Sequence, residues 1–370
     1  MESTHAFPYD HTTEYSHWDS GLWARVLAAS GVRNPLTDAA FTEAMLAGLA
    51  GGIGFMIFTF EYKDITTASA VTRFHPGPYT ENLLRRSGAA VNIQQTGSAS
   101  LAQSRLDAAL ETGIPAVVRV VRGKLPWVAQ DPLADMESVD VAVVGRDGED
   151  YLMDDGGGRL ERISSVALAQ ARGTRKADKH WQAHVVVGSR ALPEELVGEA
   201  LTVEVIRQAM AQTAQELLSE QAPHGVPAGY AKNFGIRGMS TWAQRLSDDA
   251  TSKHGWLRIF VTRNVRRWVW ACCTVCWPDG GSVDPAPCVR CMRNSCGRWR
   301  KSQRGSPASN VAVYKKPPHN MPRWGTLGRA HRPVSGAGDP DFAAMAAQVE
   351  AIAVLEHAAA GTLESAAGVI

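Results

Sequence analysis

The chain has 370 residues, 45% of them hydrophobic, and a formal charge of +1. That is enough for two modest globular domains, and so small a net charge gives no bulk electrostatic reason to expect nucleic acid or an anionic membrane as partner. All the cysteines fall between Cys272 and Cys296, which excludes a disulfide framework for the whole chain.

Residues 1–16 read as a loose polar stretch. Met1 to Pro8 lack the basic and apolar regions of a signal peptide, and no later apolar run reads as a bilayer span, so a cytoplasmic protein without a membrane partner is expected. His17-Trp18-Asp19-Ser20-Gly21 then runs into Leu22 to Leu27, which predicts a helix to about residue 29, capped by Asp19 or Ser20 and ended by Ser30-Gly31. A cysteine in such a first turn would be acidified by the unpaired N–H groups and the positive dipole end. Trp18 stands there instead.

A second helix is expected from a cap near Thr37 to Gly51-Gly52, a strand over 53–60 and a helix over 101–112. Strands are expected at 116–121, 139–144 and 151–153, a helix at 164–172 and an edge strand at 184–187. Together they predict an α+β domain with a mostly antiparallel sheet, closing near residue 190. Beyond it the amphipathic segments 199–221 and 238–250 predict helices, and the run from Asp339 onward predicts a C-terminal helix within 336–370.

Composition changes abruptly over 263–335, where tryptophans and basic residues abound and periodicity disappears. Cys273-x-x-Cys276 and Cys288-x-x-Cys291 have the paired-thiolate spacing of a structural zinc site, and the nearby arginines would suit a zinc ribbon on nucleic acid. The competing reading is a shifted frame, because Arg, Trp, Cys, Pro and Gly are what G+C-rich DNA yields out of frame. Back-translating Cys288 to Cys296 and sliding the frame permits Val-Arg-Pro-Leu-Tyr-Ala-Glu-Phe-Leu-Arg, an amphipathic string. The segment is taken as out of frame and poorly ordered.

Leu36-Thr37-Asp38, the run from Thr42 to Phe55 with Gly51-Gly52-Ile53-Gly54-Phe55, Gly113-Ile114-Pro115 before Ala116 to Val121, Val141-Ala142-Val143-Val144-Gly145 and Asp154-Asp155 resemble the butirosin-biosynthesis acyltransferase family. The likeness covers roughly 15–262. It implies a papain-like domain over 17–190 that ordinarily opens with His-Cys, followed over 191–262 by a mostly helical domain in which Asn233-Phe234-Gly235-Ile236 and Trp256 to Phe260 are recurring turns. The implied activity passes an aminoacyl-type group from an acyl-carrier-protein thioester to an amine of an aminoglycoside-like acceptor, with no cofactor and no nucleic acid.

Carried over residue by residue, the resemblance puts Trp18 at the nucleophile position and Asp140 at the base position, where Cys and His are expected, and Asp154 or Asp155 at the orienting acid. His17 and Gly52 fall beside the substrate. A Trp codon is one base from Cys, and Asp one base from His, so a misread sequence and a catalytically degenerate binding homologue both stay open. His17 has the plainer reading of a turn histidine, and Asp154-Asp155 before three glycines that of a turn.

Overall fold

The computed structural model describes residues 8–12, 17–51, 54–61, 66–71, 79–128, 134–136, 138–186, 198, 200–249, 251–262, 268–272 and 342–368. Contacts divide the chain into one unit of 1–46 with 83–202 and a second of 47–82 with 203–370. Segment 47–82 thus groups with the C-terminal residues, although chain order alone had put it in the first domain. Cys273, Cys276, Cys288 and Cys291, and with them the zinc alternative, lie outside the described residues.

The first unit opens with helix α1 (Trp18–Ala29) and a short hairpin of β1 (Arg33–Asn34) and β2 (Ala39–Ala40). Thr37 lies in that hairpin's turn, where Thr37 and Asp38 donate their N–H to Asn34 O. The second helix, α2 (Glu43–Leu49), is therefore not capped near Thr37 as expected. Thr42 caps it, its hydroxyl accepting from Met45 N at 3.2 Å. Strands β3 (Met56–Glu61) and β4 (Thr66–Val71) and helix α3 (Tyr79–Ser87) come next.

The main sheet is built from β5 (Val91–Gln94), β6 (Ala116–Val121), β7 (Ser138–Asp147), β8 (Asp150–Asp154), β9 (Leu160–Ser164) and β10 (Gln182–Val185), with helices α4 (Ala99–Glu111) and α5 (Ser165–Gly173) between them in sequence. Its order is β5-β10-β6-β7-β8-β9, and every pairing is antiparallel. The fold class of this unit is α+β. β10 was expected as an edge strand; it lies inside the sheet, because β5, unread in the sequence, covers its outer side.

β6 and β7 are near-continuous valine runs because both faces of the sheet are covered. Register puts Val118, Val120, Val141, Val143 and Met153 on one face, where α4 and α5 pack on β6. The opposite face carries Arg119, Asp140, Ala142 and Asp154, and there α1 packs on β7. Ser98 and Ser164 cap α4 and α5, accepting from Leu101 N and Ala167 N.

In the second unit β3 and β4 form a hairpin that β11 (Trp268–Cys272) joins in parallel. Helices α6 (Val203–Leu218), α7 (Gly235–Ser247) and α8 (Phe342–Ala367) follow. Phe55, Ile57, Met239, Trp242, Trp256 and Val349 share one core cluster, in which Trp242 stacks on Phe55 and meets Trp256 at a tilt, each pair with ring centroids 5.8 Å apart. α8 has the length and apolar character of a bilayer span, contrary to the expectation that no such run exists. Its Phe342, Met345, Val349 and Ile352 nevertheless belong to this core.

Candidate active site

α1 begins at Trp18, and His17 is its N-cap, with an extended backbone and no side-chain cap bond. Asp19 and Ser20 therefore lie inside the first turn and do not cap it. Gly21 N closes the turn on His17 O, and the Ser20 hydroxyl meets His17 Nδ1 at 3.2 Å.

Trp18 is 7% exposed, and its indole Nε1 donates to Asp140 O at 2.6 Å. One helical stripe, Trp18, Leu22 and Arg25, faces the sheet. Arg25 lies two turns on, roughly 10 Å along the axis, and its Nη1 reaches Asp154 Oδ2 at 2.6 Å. Asp154 pairs with Ala142 across β7–β8, and Asp140 is two residues before Ala142 on the same face, so the two carboxyl-bearing positions are separated by roughly 8 Å of sheet. The structure thus brings Trp18, Asp140 and Asp154 together beneath one helix.

Each carboxylate is already engaged. Arg119 gives Asp140 a forked pair of bonds, Nε to Oδ1 at 2.7 Å and Nη2 to Oδ2 at 3.0 Å, and the ring of Trp181 lies 4.5 Å from the guanidinium carbon. Burial pushes the Asp140 carboxyl up, and the negative charges of Asp19 and Asp178 add to it, while Arg119 pulls it back. For Arg119 burial works downward, but Asp140 more than offsets it. The short forked geometry favours the ionised pair. Asp154 also accepts from Tyr9 Oη at 2.7 Å and Gly156 N at 2.8 Å.

Asp155 accepts from Trp127 Nε1 at 2.7 Å and Gly157 N at 3.1 Å, and burial raises its pKa. Both carboxylates thus shape the glycine turn that follows β8, where Gly156 and Gly158 have φ of 84° and 78°. Gly52 lies outside the described residues. Sequence reasoning missed Arg25, Arg119, Tyr9, Trp127 and Trp181. Arg119 carried a signal, since a lone charge inside Ala116 to Val121 needs a buried partner; the others are ordinary until folding brings them to Asp154, Asp155 and Arg119.

Chemically, the helix N-terminus would acidify a thiol at position 18, but an indole has no nucleophilic or proton-transfer role there. Asp140, tied to Arg119, is a weak base. The arrangement is an α+β domain in which a buried tryptophan opens a helix above two engaged carboxylates. Residues 17–156 match the family model of butirosin biosynthesis protein H, N-terminal, so the resemblance read from the sequence holds for that part of the chain. No curated protein matches the chain.

Proposed function

We propose that the chain is built on the papain-like scaffold of an amide-forming acyltransferase of natural-product biosynthesis. Its donor would be an aminoacyl-type thioester on an acyl carrier protein and its acceptor an aminoglycoside-like amine. What supports this reading is the meeting of Trp18, at the start of α1, with Asp140, two residues from the strand partner of Asp154. In the active form of such a site, a thiolate at position 18 attacks the thioester carbonyl and expels the carrier thiol. The acceptor amine then attacks the acyl-enzyme, the cysteine thiolate leaves, and a histidine at position 140 takes the amine proton.

With Trp18 and Asp140 in those places the chain binds its donor or acceptor without turnover, the reading favoured by the engaged state of Trp18 and Asp140. The test is the Trp18→Cys/Asp140→His double variant, treated with an acyl thioester analogue and weighed by intact-protein mass spectrometry. The double variant is expected to gain one acyl mass and the parent chain none; a folded double variant that gains nothing overturns the proposal. Resequencing the gene separates the second reading, since a cysteine codon at 18 and a continuous frame through 263–335 would make the native chain the enzyme.

A further inference from the structure

Asp154 is fully buried and takes its donors from three parts of the first unit. Arg25 Nη1 and Tyr9 Oη both reach its Oδ2, at 2.6 Å and 2.7 Å, and Gly156 N reaches its Oδ1 at 2.8 Å. Arg25 belongs to α1 and Gly156 to the turn after β8, so these two bonds last as long as the helix and the sheet do. Tyr9 is different. It comes from residues 8–12, which form neither helix nor strand, and in which Pro8, Asp10 and Thr12 are exposed while Tyr9 and His11 are half-buried.

The stretch is braced within itself, since Thr12 donates both its N–H and its hydroxyl to Asp10 Oδ1, at 3.0 Å and 2.7 Å. These bonds hold the Asp10 carboxyl below its ordinary pKa, and the charge of Arg25 adds to the effect, so residue 10 stands within electrostatic reach of the buried ion pair. Tyr9 itself joins two environments: its hydroxyl touches a carboxylate closed to solvent, while the residue as a whole still meets solvent. Releasing it takes one donor from Asp154 but leaves the Arg25 ion pair and the Gly156 bond, so no uncompensated charge results. A hydrogen bond to a charged group favours the closed position, and the entropy of ordering an irregular stretch opposes it. Opening of this kind leaves the sheet and α1 intact and belongs to the low-stability end of a protein's motions.

We propose that residues 8–12 are a strap closed over the Asp154 end of the candidate site, with the Tyr9 phenol as its catch, and that the strap opens while the rest of the first unit stays folded. When it opens, the phenol leaves Asp154 Oδ2 and solvent gains the path that the ring had filled. The strap thereby controls access to the one candidate carboxylate that is fully buried. It acts whether or not position 18 carries a nucleophile, so it stands apart from the acyl-transfer reading.

The experiment labels carboxylates of the full chain with a water-soluble carbodiimide and glycine ethyl ester under single-hit conditions, and reads Asp154 and Asp155 separately by tandem mass spectrometry of the peptide that holds both. In the parent chain Asp154 is expected to label slowly, at a rate that stays level as urea is added below the unfolding midpoint, because a local opening exposes little surface. Tyr9→Phe keeps the ring and removes the catch, and is expected to speed Asp154 roughly tenfold or more while Asp155 keeps its parent rate. Should Tyr9→Phe fail to fold by circular dichroism, the urea dependence of the parent chain decides alone. Labelling of parent Asp154 that climbs with urea as global unfolding does, an Asp154 that never labels below the midpoint, or an equal rate in folded Tyr9→Phe would overturn the proposal.

Discussion

The indole of Trp18 donates to the main-chain carbonyl of Asp140 at 2.6 Å, joining the first residue of α1 to a strand 122 positions later. Both groups are buried, so the bond and the ring contribute separately. Trp18→Phe, which leaves the carbonyl without its donor, is expected to cost about 1–3 kcal/mol, and Trp18→Ala about 3–5 kcal/mol. Urea unfolding measures both, and equal losses would show that the hydrogen bond, not the packing of the ring, holds the helix start.

Arg25 and Asp154 form an ion pair with side chains 10% and 0% exposed. Removing one partner strands the other, so Asp154→Leu alone should cost about 3–5 kcal/mol. The double variant Arg25→Met/Asp154→Leu should cost less than the single one, because no unpaired charge then stays under α1. A double variant worse than Asp154→Leu would mean that the arginine finds other compensation.

His184 on β10 is kept below its ordinary pKa of 6.5 by burial, and its Nδ1 has no partner among the described residues. The unfolded chain therefore binds a proton more readily than the folded one. The neutral imidazole's contribution is complete above pH 6.5 and is lost as the pH falls toward the depressed folded value. Denaturant midpoints measured from pH 7.5 to 5 should decline for the parent chain and decline less for His184→Gln; parallel curves would exclude the histidine as the source.

Gly235 opens α7 at φ 57°, and a Cβ there would lie 2.4 Å from Leu217 O. Gly148, in the β7–β8 turn at φ 66°, has open space around it. Gly148→Ala should therefore cost only the left-handed backbone penalty, about 1–2 kcal/mol. Gly235→Ala adds a backbone collision and should cost distinctly more or prevent folding. Thermal midpoints of the two variants rank them directly.

Much of the first unit was legible because its elements carry strong local patterns. The valine runs of β6 and β7, the glycine-bounded α1 and the serine-capped α4 and α5 each state their type within a dozen residues. β5 and β4 were not legible: Val91–Gln94 is short and half polar, and Thr66–Val71 consists of small residues with no alternation. Neither reads as a strand without the neighbour it pairs with. The same limit explains the misplaced cap near Thr37, where backbone bonds to Asn34 make a hairpin turn that residue type alone does not distinguish from a helix start.

The order of residues along the chain was sufficient to say that a helix begins beside position 18, that 140 lies on an apolar strand and that 154–155 precede a turn, since these depend on propensity and spacing within one segment. Folding alone could settle which partners satisfy those groups. Arg119, Arg25, Tyr9 and Trp127 reach Asp140, Asp154 and Asp155 across strands and layers, and a buried charge accepts whatever counter-charge the packing delivers, however distant it is in the chain.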